Sequence, residues 1–232
     1  MPISGDDLPE QNTTVRFSYV VELIMAATLA TNRPSSLSGF DEAWQRAQYA
    51  LLPASARAFI DRTRAFSCPT LSVIDFVAIS SEFDDVDRFF AVVRSASPAE
   101  FLRVLLNSDL PLSVVSDCLG NPAAAAAHVG RLSYFSRMPA EDLISLFSDP
   151  LGFREDLLDY LAANRTSAFE DRVKETASRY EERSREIRDR LAKTHPLALA
   201  EELKKRPFTR QPYHRYTFVP SYFEGYMSIT SD

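Results

Sequence analysis

The sequence predicts a mainly α, multi-helix single domain with one long charged helix and a short C-terminal β-hairpin. Three observations carry this: cap residues followed by proline recur along the chain, apolar residues repeat at helical spacing, and the last stretch crowds aromatic residues among prolines. The 232 residues, 45% of them hydrophobic, suffice for one sizeable core. The pattern divides into a disordered N-terminal tail (1–14), a helical domain (15–206) and an aromatic-rich, β or extended C-terminal segment (207–232).

Helix starts come first. Ser97-Pro98-Ala99-Glu100 is a capping box with proline at the first helical position, where its missing N–H costs nothing. Asn121-Pro122, Asp149-Pro150 and His195-Pro196 repeat the cap-then-proline order. Ser81 with Asp84 and Ser167 with Glu170 place an acid at the capping-box position. Behind these starts lie core-facing stripes: Val86, Phe89, Phe90 and Val93; Phe101, Leu102, Leu105 and Leu106; Leu143, Ile144 and Phe147; Phe153, Leu157, Leu158 and Leu161. Further helices are expected near 18–31, 40–51 and 55–65. The apolar run 71–79 suits either a helix or a strand.

The longest helix is expected from about Ala168 to Lys193. Phe169, Val173, Ala177, Tyr180, Ile187 and Leu191 form a narrow apolar stripe among i, i+4 pairs such as Glu181/Arg185 and Glu186/Arg190. Each pair contributes only about 0.3 kcal/mol, so the stripe must pack on the domain or on a second copy. After Arg206, Phe208, Tyr213, Tyr216, Phe218, Tyr222, Phe223 and Tyr226 alternate with Pro207, Pro212 and Pro220, which suits strands and turns.

Composition excludes several classes. Residues 1–160 hold 21 acids and 12 bases, net −9, and 161–232 hold 11 acids and 14 bases, net +3. The first part repels nucleic acid, so any approach to DNA or an acidic partner falls to the C-terminal third. The polar, acidic Met1–Glu10 lacks the basic and apolar regions of a secretory signal, and the apolar stretch 20–30, interrupted by Glu22 and Thr28, is too short to span a bilayer. A cytoplasmic protein with no membrane contact is expected. Cys68 and Cys118, fifty positions apart, read as reduced core thiols, and His128, His195 and His214 stand alone, so neither metal nor cofactor is expected. Asp84, Asp85 and Asp87 are the densest acidic cluster and read as a solvated helix start rather than a cation loop.

Phosphate-binding glycine loops, a nucleophile elbow and a His-Glu-x-x-His zinc motif are all absent from the sequence, so no catalytic residue is assigned. Single carboxylates such as Glu22, Asp61 and Asp75 keep a weaker hydrolase or transferase reading open. The stretch Leu112–Arg131 has a glycine, Gly120, where a helix-turn-helix turns, with Val115 and Val129 at core positions. Its second helix offers alanines where a base-reading helix needs Arg, Asn or Gln, so a plain helix pair in the core is the better reading.

Four stretches carry a family likeness: Val15-Arg-Phe-Ser-Tyr-Val-Val-Glu-Leu, Arg94-Ser-Ala-Ser-Pro-Ala-Glu-Phe-Leu-Arg-Val-Leu-Leu, Leu146-Phe-Ser-Asp-Pro through Phe169 with the charged helix, and Phe218-Val-Pro-Ser-Tyr-Phe. Their order resembles the helical region that precedes the winged helix in a group of bacterial ArsR-family transcription regulators. The resemblance implies a strand-to-helix opening, a middle helix start and a strand leading to the DNA-binding domain. The sequence stops at Asp232, where the winged helix would begin. DNA binding is therefore expected only through a domain absent from this chain, and metal sensing is not carried over because Cys68 and Cys118 match no thiolate pair of that kind.

The expected function is a non-enzymatic regulatory and dimerisation domain with a small apolar effector. Its homodimer or partner interface is expected at Val173, Tyr180, Ile187, Leu191, Tyr216, Phe218, Tyr222 and Phe223. The alternative is a stand-alone adaptor whose aromatic C-terminal segment adds a strand or an aromatic patch to a protein partner, set against the rings folding back over the helices.

Overall fold

Cap chemistry starts several of the helices where the sequence places it. The computed structural model describes residues 13–31, 42–63, 69–106, 110–129, 138–204, 215–222 and 225–231. In order these form β1 (Thr13–Val15), α1 (Tyr19–Thr31), α2 (Glu42–Leu51), α3 (Ala54–Thr63), α4 (Pro69–Ser72), α5 (Ile74–Ser80), α6 (Val86–Ser95), α7 (Pro98–Leu105), α8 (Leu112–Gly120), α9 (Pro122–His128), α10 (Ala140–Ser148), α11 (Pro150–Ala163), α12 (Ser167–Glu175), α13 (Ala177–Leu191), α14 (Pro196–Lys204), β2 (Arg215–Ser221) and β3 (Gly225–Ser231). The mainly α class and the C-terminal hairpin are both present.

The capping box at α7 is complete: Ser97 Oγ accepts the Glu100 N–H at 3.3 Å while the Glu100 carboxylate accepts the Ser97 N–H at 2.9 Å. Asp149 Oδ1 accepts the Gly152 N–H at 2.9 Å ahead of α11, and His195 Nδ1 accepts the Leu197 N–H at 3.2 Å ahead of α14. Pro122 opens α9 as expected, but the Asn121 side chain makes no capping bond.

Two other expected boxes are displaced. Ser81 closes α5 in the left-handed region, φ 60°, and Asp85 rather than Ser81 caps α6 by accepting the Arg88 N–H at 3.0 Å. The chain needs those intervening residues to turn between two helices that contact each other. At α12 the cap is Thr166, one residue before the expected Ser167, and it accepts the Phe169 N–H at 3.2 Å. The ambiguous run 71–79 folds as helix, split between α4 and α5 at Val73.

The charged run from Ala168 is the other correction. Its main part, α13, is the longest described helix at 15 residues, but the run breaks at Thr176. There the Thr176 hydroxyl donates back to the Arg172 carbonyl at 2.7 Å, and the backbone turns to φ −97°, ψ 0°. A hydroxyl that competes for the i−4 carbonyl bends or interrupts a helix.

At the centre lies α1. Its side chains from Val20 to Leu29 are all buried, and it contacts α2, α4, α5, α6, α11, α12 and β2. A helix apolar around its circumference is stable only when wrapped on every side. Ser18 starts it, accepting the Val21 N–H at 3.1 Å and donating to the Phe83 carbonyl at 2.5 Å. From the opposite side α11 meets it, with the Tyr160 hydroxyl donating to the Ala27 carbonyl at 2.7 Å.

The sheet has the order β1-β2-β3. Thr13 and Thr14, assigned from sequence to a disordered tail, instead form β1, which runs parallel to β2 with Thr13 opposite Tyr216 and Val15 opposite Phe218. A parallel neighbour requires a long crossover, here the whole helical body, so no local signal announces it. β2 and β3 form the antiparallel hairpin, with Arg215 opposite Ser231 and Ser221 opposite Gly225. β2 is covered on both faces: Val219 joins the main core, while Tyr216 and Phe218 join Ile187, Leu199 and Ala200 in a second, smaller core beneath α13 and α14.

Phe218 is fully buried in that second core. Phe218→Ala should cost roughly 3–5 kcal/mol, as for other buried phenylalanines, and lower the urea unfolding midpoint accordingly. A change below about 1 kcal/mol in urea titration would show that the small core does not anchor the sheet.

Candidate functional site

The residues expected at an interface with a second copy are placed within the chain's own layers. Tyr180, Ile187, Tyr216 and Phe218 are buried, Leu191 packs partly buried against the small core, and Val173 and Tyr222 pack partly buried against the main one. Phe223 lies outside the described residues. Contact with a partner through the buried four would require the α13 layer to part from the sheet.

Among these, Tyr180 and Tyr222 meet a residue that the sequence offers only as an isolated carboxylate, Glu22. It is the one acid of α1, and because that helix is wrapped on all sides its side chain is fully buried. Its Oε1 accepts the Tyr222 backbone N–H at 3.1 Å, where β2 ends, and among the described residues its Oε2 has no partner at bonding distance. The hydroxyls of Ser221 and Tyr180 face the carboxyl and favour its charge, yet burial outweighs them and pushes the Glu22 pKa up to about 7.

The surrounding groups tie three elements together. The Tyr180 hydroxyl, raised in pKa by burial and by the Glu22 charge, lies 3.2 Å from Thr176 Oγ1 at the break between α12 and α13. Arg172 Nη1 donates to the Tyr222 hydroxyl at 2.9 Å, with its guanidinium 5.3 Å from that ring's centre. One carboxyl thus links α1, the end of β2 and the start of α13.

The other carboxylates considered from sequence are not gathered here. Asp61 is exposed on α3 and Asp75 half-buried on α5. Asp85 caps α6 and Asp84 pairs with Arg16. Cys118 is a buried free thiol whose pKa burial raises, while Cys68 and His214 lie outside the described residues. Among the described residues no group of three or more His, Cys, Asp or Glu is placed to hold a metal ion. No described helix is long and apolar enough to cross a membrane. The helix pair α8–α9 buries Val115, Ala125 and Val129 and leaves Ala123 and Ala127 exposed, a face without base-reading side chains.

Clefts lined by the described residues open on the surface. Two adjoin along α3 and α11 and share Arg62 and Asp156, which are bonded at 2.6 Å; one, of about 110 Å³, adds Asp142 and Asp149, and the other, of about 320 Å³, adds Asp159 beside Phe59 and Tyr160. Each mixes apolar walls with carboxylates, so neither is the wholly apolar effector pocket expected from sequence. The third, of about 180 Å³, lies between β1, the start of β2 and the α5–α6 connection and is lined by Thr14, Arg16, Ala78, Ser81, Phe83, Arg215 and Thr217.

The Glu22 pKa has a definite consequence for stability. The folded value of about 7 lies above the ordinary carboxylate value of 4.5, so the native state holds a proton that the unfolded chain releases. Stability should therefore be greatest at and below the unfolded pKa and decline by roughly 3 kcal/mol as pH rises through about 7. Glu22→Gln should remove this decline and leave the variant more stable than the parent at pH 8, as read from urea midpoints at pH 5 and pH 8. An unchanged pH dependence in the variant would assign the effect elsewhere. Comparison with known proteins gives no matching family model, no matching curated protein and no matching solved structure.

Proposed function

We propose that this chain is a non-enzymatic regulatory and dimerisation module of an ArsR-like bacterial transcription regulator, acting in the cytoplasm and reaching DNA only through a domain outside these residues. The support for this reading is the secondary structure of most of the stretches that carry the resemblance; the charged run among them departs from it by breaking at Thr176. Residues 15–23 run from the end of β1 into α1, 94–106 hold the capped start of α7, 146–169 span α10, α11 and the beginning of α12, and Phe218 to Ser221 lie in β2. The Glu22 junction adds a means of regulation, since it couples the helical body to the α13 and sheet layer through a single ionisable group.

Self-association belongs to the outer side of that layer. The apolar stripe of α13 is used within the chain, and its outward face carries Glu181, Glu182, Arg185 and Asp189. Among the described residues, β3 is an edge of the sheet, paired on one side with β2. An edge strand offers backbone donors and acceptors to a second copy, and antiparallel pairing of two such edges is self-complementary about a two-fold axis. The same edge supports the second reading, an adaptor that adds a strand to a protein partner. The aromatic-patch form of that reading is less favoured because Tyr216 and Phe218 are buried.

Light scattering should give a dimer mass at high protein concentration. Amide exchange along β3 should slow as concentration rises through the dimer transition. A strict monomer would remove self-association, and a dimer with unchanged β3 exchange would move the contact to another surface. For the regulator class, the genomic reading frame past codon 232 should continue into a winged helix; continuation into an unrelated domain would overturn that assignment.

A further inference from the structure

The cleft beside β1 differs from the two along α3 and α11 in its chemistry. Those are lined by Asp156 together with Asp142 and Asp149, or with Asp159, whereas among the described residues the third has no carboxylate in its lining and holds three hydroxyls and two guanidinium groups, one of them paired with Asp84. Thr14 and Thr217 are register partners on the parallel strands, so adjacent strands present two hydroxyls to the same recess. Ala78 and Phe83 supply an apolar floor.

Both arginines reach the recess, and they are held differently. Arg16 lies 4.5 Å over the Phe83 ring and pairs with Asp84, a stacked and tethered guanidinium that loses little further freedom on binding. Arg215 is exposed at the start of β2 and, among the described residues, pairs with no carboxylate; its Nη1 lies 3.5 Å from Ser81 Oγ. Ser81 itself is the one described non-glycine residue with positive φ, 60°. That conformation closes α5, with the Ser81 N–H on the Val77 carbonyl, and it leaves the Ser81 hydroxyl in the cleft wall beside Arg215.

From this convergence of donors we infer that the cleft is a binding site for a tetrahedral oxyanion, the phosphate group of a small effector or the free ion. Arg215 supplies the forked pair of N–H donors and the uncompensated positive charge, Arg16, whose charge Asp84 offsets, further N–H donors, and Thr14, Ser81 and Thr217 the remaining hydrogen bonds. Arginine suits such a group because its planar fork matches two oxygens at once. The site is independent of the Glu22 junction and of the oligomeric reading.

Isothermal titration of the full chain with inorganic phosphate, repeated with acetate at matched ionic strength, tests this directly. Saturable one-to-one binding of phosphate and none of acetate is expected, with Arg215→Gln at least about tenfold weaker and Arg215→Lys intermediate. A monoester such as glycerol 3-phosphate distinguishes the source: tighter binding than phosphate marks an esterified effector, and equal binding marks the free ion. Since Arg215 is exposed, its variants should retain the parent circular dichroism spectrum; should Arg215→Gln misfold, Ser81→Ala and Thr14→Val carry the same test. Absence of phosphate binding by the parent, equal binding of acetate, or full affinity in folded Arg215→Gln would overturn the assignment.

Discussion

Everything in this fold is arranged around the burial of α1. A helix whose residues from Val20 to Leu29 are all removed from water cannot exist as a surface element, and the neighbouring helices are where they are because each covers part of it. Burying that many apolar side chains contributes roughly 1.5–3 kcal/mol for each large one, before the entropy of ordering the chain is set against it. The same wrapping takes Glu22 out of water. An acid in such a place must be neutralised or hydrogen-bonded, and here the backbone N–H of Tyr222 at the end of β2 bonds one oxygen while burial favours the protonated form.

That requirement joins two parts that would otherwise have little reason to meet in one geometry. The sheet lies between the main core and the small core under α13 and α14, and its hold on the body runs through Val219, through the β1 pairing and through the Tyr222 N–H on Glu22. Apolar contacts are tolerant of small sliding, whereas a buried carboxyl accepting a specific backbone N–H is not. The carboxyl therefore holds the end of β2 against α1 at one defined point. The oxyanion cleft sits on the same sheet between β1 and the start of β2, so an anion there and a proton at Glu22 would act on one layer by different routes.

Much of the fold was legible in local sequence. Ser97 with Glu100, Asp149 and His195 cap the helices they were read to cap, and Phe89, Phe90, Phe101, Leu102, Leu157 and Leu158 lie in the core as their spacing requires. Where the reading missed, a competing bond was within reach. Thr176 broke the charged helix by bonding back to Arg172, and Thr166 took a cap expected of Ser167 because its hydroxyl was one residue better placed. Glu22 was visible as an acid in an apolar stretch, but nothing in the spacing of Tyr180, Ser221 and Tyr222 along the chain shows that they meet it.

Sequence by itself determined the mainly helical class, the helix starts, the apolar stripes and the strand-forming character of the C-terminal segment, because these follow from interactions between residues a few positions apart. Only the tertiary structure decided that Thr13 and Thr14 pair with β2, that the stripe of α13 is spent on the chain's own sheet, and that Arg16 and Arg215 share a cleft. Those contacts join residues separated by most of the chain, and their energy depends on which surfaces the central helix leaves to be covered.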